Sequence, residues 1–350
     1  MAAFLNALST AVPDHEVHGL FKGFARRQIS DRRRVVLDRM MERSGIEARY
    51  SPLDPEGNAE ALDGEGFYRY GAFPPTSRRM ELYDREAVAL AAKAAEGLGR
   101  DLGGVTHLIV TSCTGLAAPG VDLQLIGRLG LDPSVERTLV GFMGCYAAIN
   151  ALRLARQIVL AEPGAQVLVV SVELCTLHLQ ETDDLETILS FSIFGDGAAA
   201  ALVSEGEEGF RLDRFKTVTM PDDRALITWH VGDSGFDMHL SGETPGALRR
   251  GLPAALAAIS PEGRDGIDHW AIHPGGKSIL DAVEAALDLE AEDLWASREV
   301  LRRYGNMSSP SVLFVLARMM NEGPVEEGAG VAMAFGPGLT AETMRFTAAG

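Results

Sequence analysis

An α/β fold built from two related units is predicted by three observations. β-rich runs alternate with helix-patterned stretches, short motifs of the first half recur in the second, and 46% of the 350 residues are apolar, ample for a large core. Residues 1–9 are mildly apolar with no basic flank or cleavage-type ending, and read as a first strand rather than a leader. Residues 107–111 (HLIVT), after Gly103-Gly104, form a short apolar run expected as a buried strand. Residues 147–160 carry Ile149, Leu152, Ala155 and Val159 at helical spacing, with Pro163-Gly164 as the stop. Two further core strands are expected over 167–172 and 198–203. The polar run 205–209 (EGEEG) then reads as an exposed connection. It divides the chain into halves of 1–208 and 209–350.

The second half repeats the first. Residues 269–273 (HWAIH) resemble 107–111 as a short strand running into a Gly-rich turn. Gly305-Asn306 leads into the helical pattern around 312–318, as Gly144-Cys145 leads into that around 151–156. Cys145 lies 34 residues after Thr111, and Asn306 lies 33 after His273. Residues 330–335 echo 197–203. Such self-similarity points to a duplicated α/β unit.

A net charge of −17 opposes binding to a polyanion such as nucleic acid. Between Lys22 and Arg49, however, nine basic residues face four acidic ones, a local excess of +5. This stretch reads either as a solvated amphipathic helix or as a patch for a phosphorylated substrate. Three widely spaced cysteines make no disulfide framework, which suits a reducing, cytoplasmic setting. No apolar run reaches the ~18–20 residues needed to span a bilayer. His15-Glu16-Val17-His18 is one residue short of the metalloprotease spacing, and Gly195-Asp196-Gly197 is too short for a dinucleotide fingerprint. No metal is expected.

Three segments carry chemistry: Gly144-Cys145-Tyr146 at a helix start, His273-Pro274-Gly275-Gly276 at a strand end, and Gly305-Asn306-Met307 at a second helix start. A cysteine at the first turn of a helix meets unpaired N–H groups and the positive dipole end, both of which favour the thiolate. A nearby histidine would hold its proton. N–H donors from His273 and Asn306 would polarise a thioester carbonyl and stabilise an enolate. The trio suits acyl transfer through a thioester followed by carbon–carbon bond formation. Taken singly, Cys145 could be a small buried hydrophobe, His273 a core histidine bonded to backbone, and Asn306 an ordinary N-cap.

At these residues the chain resembles the type III polyketide synthases, the chalcone synthase-like branch of the thiolase superfamily, in its bacterial form. The likeness is carried by Gly144-Cys145-Tyr146-Ala147-Ala148, Phe194-Gly195-Asp196-Gly197-Ala198-Ala199, the His273 and Asn306 segments through Ser309, and Phe335-Gly336-Pro337-Gly338-Leu339-Thr340. It implies a five-layered αβαβα thiolase-type fold and a homodimer in which each subunit uses its own Cys145, His273 and Asn306. An acyl-CoA starter would load Cys145, and malonyl-CoA would extend it by decarboxylative condensation before cyclisation. No bound cofactor is implied. Arg39 and Arg43 fall where the family grips the coenzyme A phosphates, while Val36 stands where a further basic residue is common. Phe194 matches one gate phenylalanine, and Met238 takes the place of the other. Cys113, Cys175 and His178 occupy positions that are often pocket threonines in plant members, Ser308 belongs to the same pocket, and Ala118 replaces a methionine that reaches across the plant dimer. A resorcinol, pyrone or naphthalene-type product is open. The alternatives are a single-condensation ketoacyl synthase, a cysteine-dependent acyl-CoA hydrolase, and a non-catalytic binding protein on the same fold.

Overall fold

The run Val167–Leu174 is buried along its whole length, as a strand is only when both faces are covered. Its neighbours explain how. In the structure, a computed structural model that describes residues 2–323 and 326–348, it lies inside a nine-stranded sheet. From one edge the order is His269–Ile272, Gly328–Gly336, Thr340–Ala348, Phe210–Thr219, Phe4–Ala11, Asp196–Ser204, Val167–Leu174, His107–Ser112 and Glu136–Gly141. Two wings meet where Phe4 and Leu5 pair with Arg211 and Phe210. A register shift between Leu5 and Ala7 and another between Arg345 and Phe346 bend the strands near this seam.

Alternation along the strands then builds the layers. Val167 and Val169 of one wing and Ala332, Ala334 and Met344 of the other point into a shared core around helices Ala147–Ala161 and Pro310–Glu322. Leu168, Val170 and Val172 point the opposite way, onto helix Thr76–Glu96. Val331, Met333 and Phe335 likewise pack on the side of helices Thr244–Ile259 and Lys277–Leu287. The result is the thiolase-type αβαβα arrangement, with the Ala147–Ala161 and Pro310–Glu322 helices as its middle layer.

Both wings share one four-strand topology, to which the first adds edge strand Glu136–Gly141. His107–Ser112 runs parallel to Val167–Leu174, and His269–Ile272 parallel to Gly328–Gly336. From there each wing continues through antiparallel neighbours to its own first strand. The match of His107–Ser112 with His269–Ile272 is as the sequence suggests. The echo between 197–203 and 330–335 is a misalignment, since Gly328–Gly336 is the counterpart of Val167–Leu174. Repeated small residues in buried strands misled the comparison.

Candidate active site

Cys145 is placed by a tight elbow. Edge strand Glu136–Gly141 ends, Phe142 takes a φ of 56° and Gly144 one of 75°, and a single 3-10 turn, Gly144–Tyr146, feeds helix Ala147–Ala161. Gly144 is required twice over, by its left-handed backbone and because a Cβ there would lie 2.4 Å from Cδ of Pro337. Tyr146 closes this contact by donating its hydroxyl to Pro337 O at 3.2 Å. The Gly336-Pro337-Gly338 loop of one half thus seats the nucleophile of the other.

His273 follows strand His269–Ile272 and extends its pairing by donating its N–H to Met333 O at 2.8 Å. Both ring nitrogens are buried without a hydrogen-bond partner. A core histidine bonded to backbone is therefore excluded for this side chain.

Asn306 departs from the expected helix start, because helix Pro310–Glu322 begins four residues later with Ser309 at its N-cap. Its backbone is instead clamped beside Phe194, donating to Ile193 O at 2.8 Å and accepting from Gly195 N at 3.0 Å. Its Oδ1 accepts from Ser308 N at 2.8 Å and its Nδ2 donates to Gly275 O at 3.3 Å. The Oδ1 bond fixes which end of the amide serves as donor. Arg49 lies beneath this clamp, donating to Phe191 O and Phe194 O at 3.0 and 2.8 Å. Gly305, at φ 68°, leaves room for it, since a Cβ there would meet the Arg49 side chain at 2.9 Å.

Cys145, His273 and Asn306 line one cavity together with Phe194, Met238, Gly275 and Phe335. A second cavity on the other side of Cys145 is walled by Cys113, Cys175, Ser308, Trp229 and Pro337. Phe194 and Met238 line both, so they stand between the two. Each holds about 20 Å³, room for about one water, so an acyl chain enters only by moving a wall. Among the shared side chains the unbranched Met238 is the pliable one. A larger open hollow of about 240 Å³ between Val12 and Lys93 contains no cysteine.

Protonation differs from the sequence expectation. Burial pushes the Cys145 thiol up to about 11, although Ser308 and Asn306 pull the other way. Burial also lowers His273 to about 3. Both shifts run against the expected thiolate, because desolvation opposes the helix-start effect. A thiolate then forms as the thiol proton moves to an unpartnered ring nitrogen of His273.

The remaining sequence candidates divide clearly. Ser308, at φ 57°, brings its Oγ to 3.4 Å from Cys113 Sγ. Cys113 and Cys175 are buried wall residues whose thiols are pushed well above their ordinary value, chiefly by burial. His178 lines neither cavity. Its Nε2 donates to Thr114 O at 2.7 Å, its Nδ1 accepts from Phe236 N at 3.1 Å, and its ring stacks on Phe236. It is a strut behind the wall, because both nitrogens are already satisfied.

Arg39 and Arg43 are exposed on helix Asp31–Arg43. With Arg32 they form no ion pair among the described residues, whereas Arg26 and Arg34 are paired with Asp38 and Asp31. Spacings of seven and four put Arg32, Arg39 and Arg43 on one helix face. Leu37 and Met41 of this helix pack on Ile188 of helix Leu185–Phe191, whose last residue lines the second cavity. Arg49 does not belong to the patch, being fully buried beneath the active site.

Sequence reasoning missed Trp229, Glu173 and Arg49. Trp229 reaches the cavity through the hairpin Ile227–Gly232 and Gly235–Leu240, where it pairs with Met238 and donates to Cys113 O at 2.8 Å. Glu173 is a fully buried carboxyl, raised by burial, that accepts from Cys113 N, Thr114 Oγ1 and Ser309 Oγ at 2.9, 2.7 and 2.6 Å. It ties the Cys113 turn to the start of helix Pro310–Glu322. A glutamate closing an apolar strand run was the available signal.

A thiolase-type fold with a cysteine, a histidine and an asparagine around one apolar cavity is the architecture of a condensing acyltransferase. The family description for the N-terminal domain of chalcone and stilbene synthases matches residues 1–207, and that for their C-terminal domain matches residues 213–349. The chain is 36% identical over 330 residues to the alpha-pyrone synthesis polyketide synthase-like Pks18 of Mycobacterium tuberculosis, covering 89% of this chain and 82% of that protein. Among solved structures, the C-terminal type III polyketide synthase domain of Steely1 from Dictyostelium superposes with a TM-score of 0.91 at 26% identity, covering 99% of both chains. PKS-I of the brown alga Ectocarpus siliculosus superposes at 0.90 with 29% identity, covering 99% of this chain and 98% of that one. The chain belongs to the chalcone and stilbene synthase family and is a type III polyketide synthase, an enzyme of the acyltransferase class.

Proposed function

We propose that the protein loads an acyl-CoA starter on Cys145, extends it with malonyl-CoA and cyclises the chain, with an aliphatic starter and a pyrone as the favoured outcome. The observation that carries this reading is the shared cavity of Cys145, His273 and Asn306. In loading, the thiol proton passes to neutral His273, Sγ attacks the thioester carbonyl, and coenzyme A leaves with that proton. In extension, the malonyl C–carboxylate bond breaks and its electrons move onto the thioester oxygen, where His273 and Asn306 donate. The resulting enolate carbon attacks the acyl-Cys145 carbonyl and expels the cysteine sulfur. Residues 1–208 supply the nucleophile and the basic helix, and 209–350 supply His273 and Asn306. No bound cofactor or metal takes part in this scheme.

The aliphatic preference rests on Met238 at the constriction and on the apolar wall of Cys113, Cys175 and Trp229. The pyrone is favoured because the name of the Mycobacterium tuberculosis relative describes alpha-pyrone synthesis. Mass spectrometry of products from malonyl-CoA with a panel of acyl-CoA starters tests both. Met238→Phe should shift the preferred starter toward shorter chains, with the longest losing about tenfold in rate. Free acid released without malonyl consumption would instead identify a hydrolase, and arrest after one condensation a ketoacyl synthase.

The basic helix is assigned to the coenzyme A phosphates because three arginines on one face form no ion pair among the described residues. Arg39→Ala and Arg43→Ala should each raise KM for malonyl-CoA severalfold with little change in kcat, and wild-type KM should rise with salt. Unchanged KM in the double variant would move the coenzyme A site elsewhere.

We further assign a homodimer and a cytoplasmic location. The location follows from three free, buried cysteines. The dimer is supported by edge strand Glu136–Gly141, which exposes Leu139, with Met143 exposed just after it and Leu116 just after its partner strand His107–Ser112. Light scattering checks it, and a mass of 37.5 kDa would rule the dimer out.

A further inference from the structure

At the end of helix Ala147–Ala161 remote from Cys145, three side chains converge that the condensation does not use. His107 opens a buried strand, Glu136 is its register partner on the edge strand, and Glu162 caps the helix C-terminus. His107 Nε2 lies 3.7 Å from a Glu136 oxygen and 3.6 Å from a Glu162 oxygen. Among the described residues this is the one group of three or more such side chains placed to hold a metal ion.

Two independent features point to a cation. First, His107 is only 7% exposed as a residue, and its Nε2 makes no hydrogen bond among the described residues, since the nearest carboxylate oxygens, at 3.7 and 3.6 Å, are beyond reach. A nitrogen of a largely buried ring aimed between two anionic oxygens is satisfied by a positive ion at their centre. Second, the other ring nitrogen already has the support that metal-bound histidines use. Nδ1 lies 2.8 Å from Thr106 Oγ1, and that hydroxyl has Gln166 O at 3.1 Å to receive its own proton. Thr106 can therefore accept from Nδ1–H, which leaves the Nε2 lone pair facing the carboxylates.

We propose that His107, Glu136 and Glu162 bind a divalent transition-metal cation of the zinc class. Tetrahedral zinc with nitrogen and oxygen ligands sets ligand atoms roughly 3.3 Å apart, so each glutamate oxygen needs to close on His107 Nε2 by only a few tenths of an ångström from 3.7 and 3.6 Å. All three ligand atoms already lie within 4.8 Å of one another. Their carboxylates are 74% and 56% exposed, which leaves an open side for water to complete the shell. The negative end of the helix dipole adds to the attraction. The ion would clasp the end of the nucleophile's helix to two strands of its wing, about 22 Å from Cys145 by the length of a 15-residue helix. Its role is structural.

The test uses the whole protein, dialysed free of metal, with zinc chloride as the probe. Equilibrium dialysis should show one zinc per chain at about 100 µM free metal or below, and the melting temperature should rise with zinc. Glu136→Gln and Glu162→Gln, both on exposed side chains that fold without strain, should each weaken binding at least tenfold and abolish the thermal shift. Polyketide formation at 25 °C should be unchanged in Glu162→Gln, which lies off the edge strand assigned to the dimer. Cobalt in place of zinc should give weak visible bands without a thiolate charge-transfer band. Equal uptake by wild type and both variants, a thiolate band, or no uptake at all would each overturn the site.

Discussion

Cys145→Ala should give a folded protein that takes up no acyl group from any acyl-CoA, with polyketide formation lost completely. Intact-mass spectrometry after mixing with a starter reads this directly. Cys113 and Cys175 share the cavity wall yet should not substitute, because burial keeps their thiols protonated and neither lies on the side that holds His273. An acyl group found on Cys113 in this variant would reassign the nucleophile. The proton's route has its own readout. Burial pushes the thiol of the intact site up to about 11, so the iodoacetamide rate of the wild type should still be climbing past pH 9. With His273→Ala, acylation by acyl-CoA at pH 7 should slow by about 100-fold, because the imidazole that takes the thiol proton as Sγ attacks is gone.

Asn306→Ala should load the starter normally and lose malonyl-CoA decarboxylation by ~100-fold or more, the usual cost of removing an oxyanion-type donor. Carbon dioxide release in a single turnover is the measurement, with intact mass confirming the loaded intermediate. The structure sharpens this expectation. Asn306 is not the N-cap of helix Pro310–Glu322, so a helix-capping penalty does not confuse the result. Besides the pull of Asn306 on the Cys145 thiol, the side-chain bonds that go are Oδ1 to Ser308 N and Nδ2 to Gly275 O. If the variant decarboxylated malonyl-CoA at the wild-type rate, the assigned donor would be wrong.

Much of this site was legible from short motifs because each sits where chain direction changes sharply. Gly144-Cys145, His273-Pro274-Gly275-Gly276 and Gly305-Asn306 mark a turn into a helix, a strand end and a clamp, and local sequence carries such turns. The two-unit α/β architecture was legible too, through recurring motifs and continuous apolar runs such as that within Val167–Leu174, while the five layers came only with the family resemblance. What escaped depends on distant register. Trp229 reaches the pocket only because it pairs with Met238 across a hairpin, and Arg49 supports Phe194 across more than 140 residues. His178 looked like a pocket residue until its two hydrogen bonds accounted for both nitrogens. Ionisation escaped for a different reason. A helix start favours a thiolate, but the opposing cost depends on how completely the fold shuts water away from the sulfur.

The central helices have a bearing on what can be taken apart. Ala147–Ala161 and Pro310–Glu322 are roofed by one wing and floored by the other, while the strand seam between wings is short, pairing Phe4 and Leu5 with Arg211 and Phe210 and adding the bond from Leu212 N to Ala3 O. Severed at the exposed 205–209 connection, either fragment would lay bare an oily inner surface with nothing to replace its missing companion. Duplication here has produced two units that are topologically complete yet physically inseparable, and the reaction chamber exists only in their union.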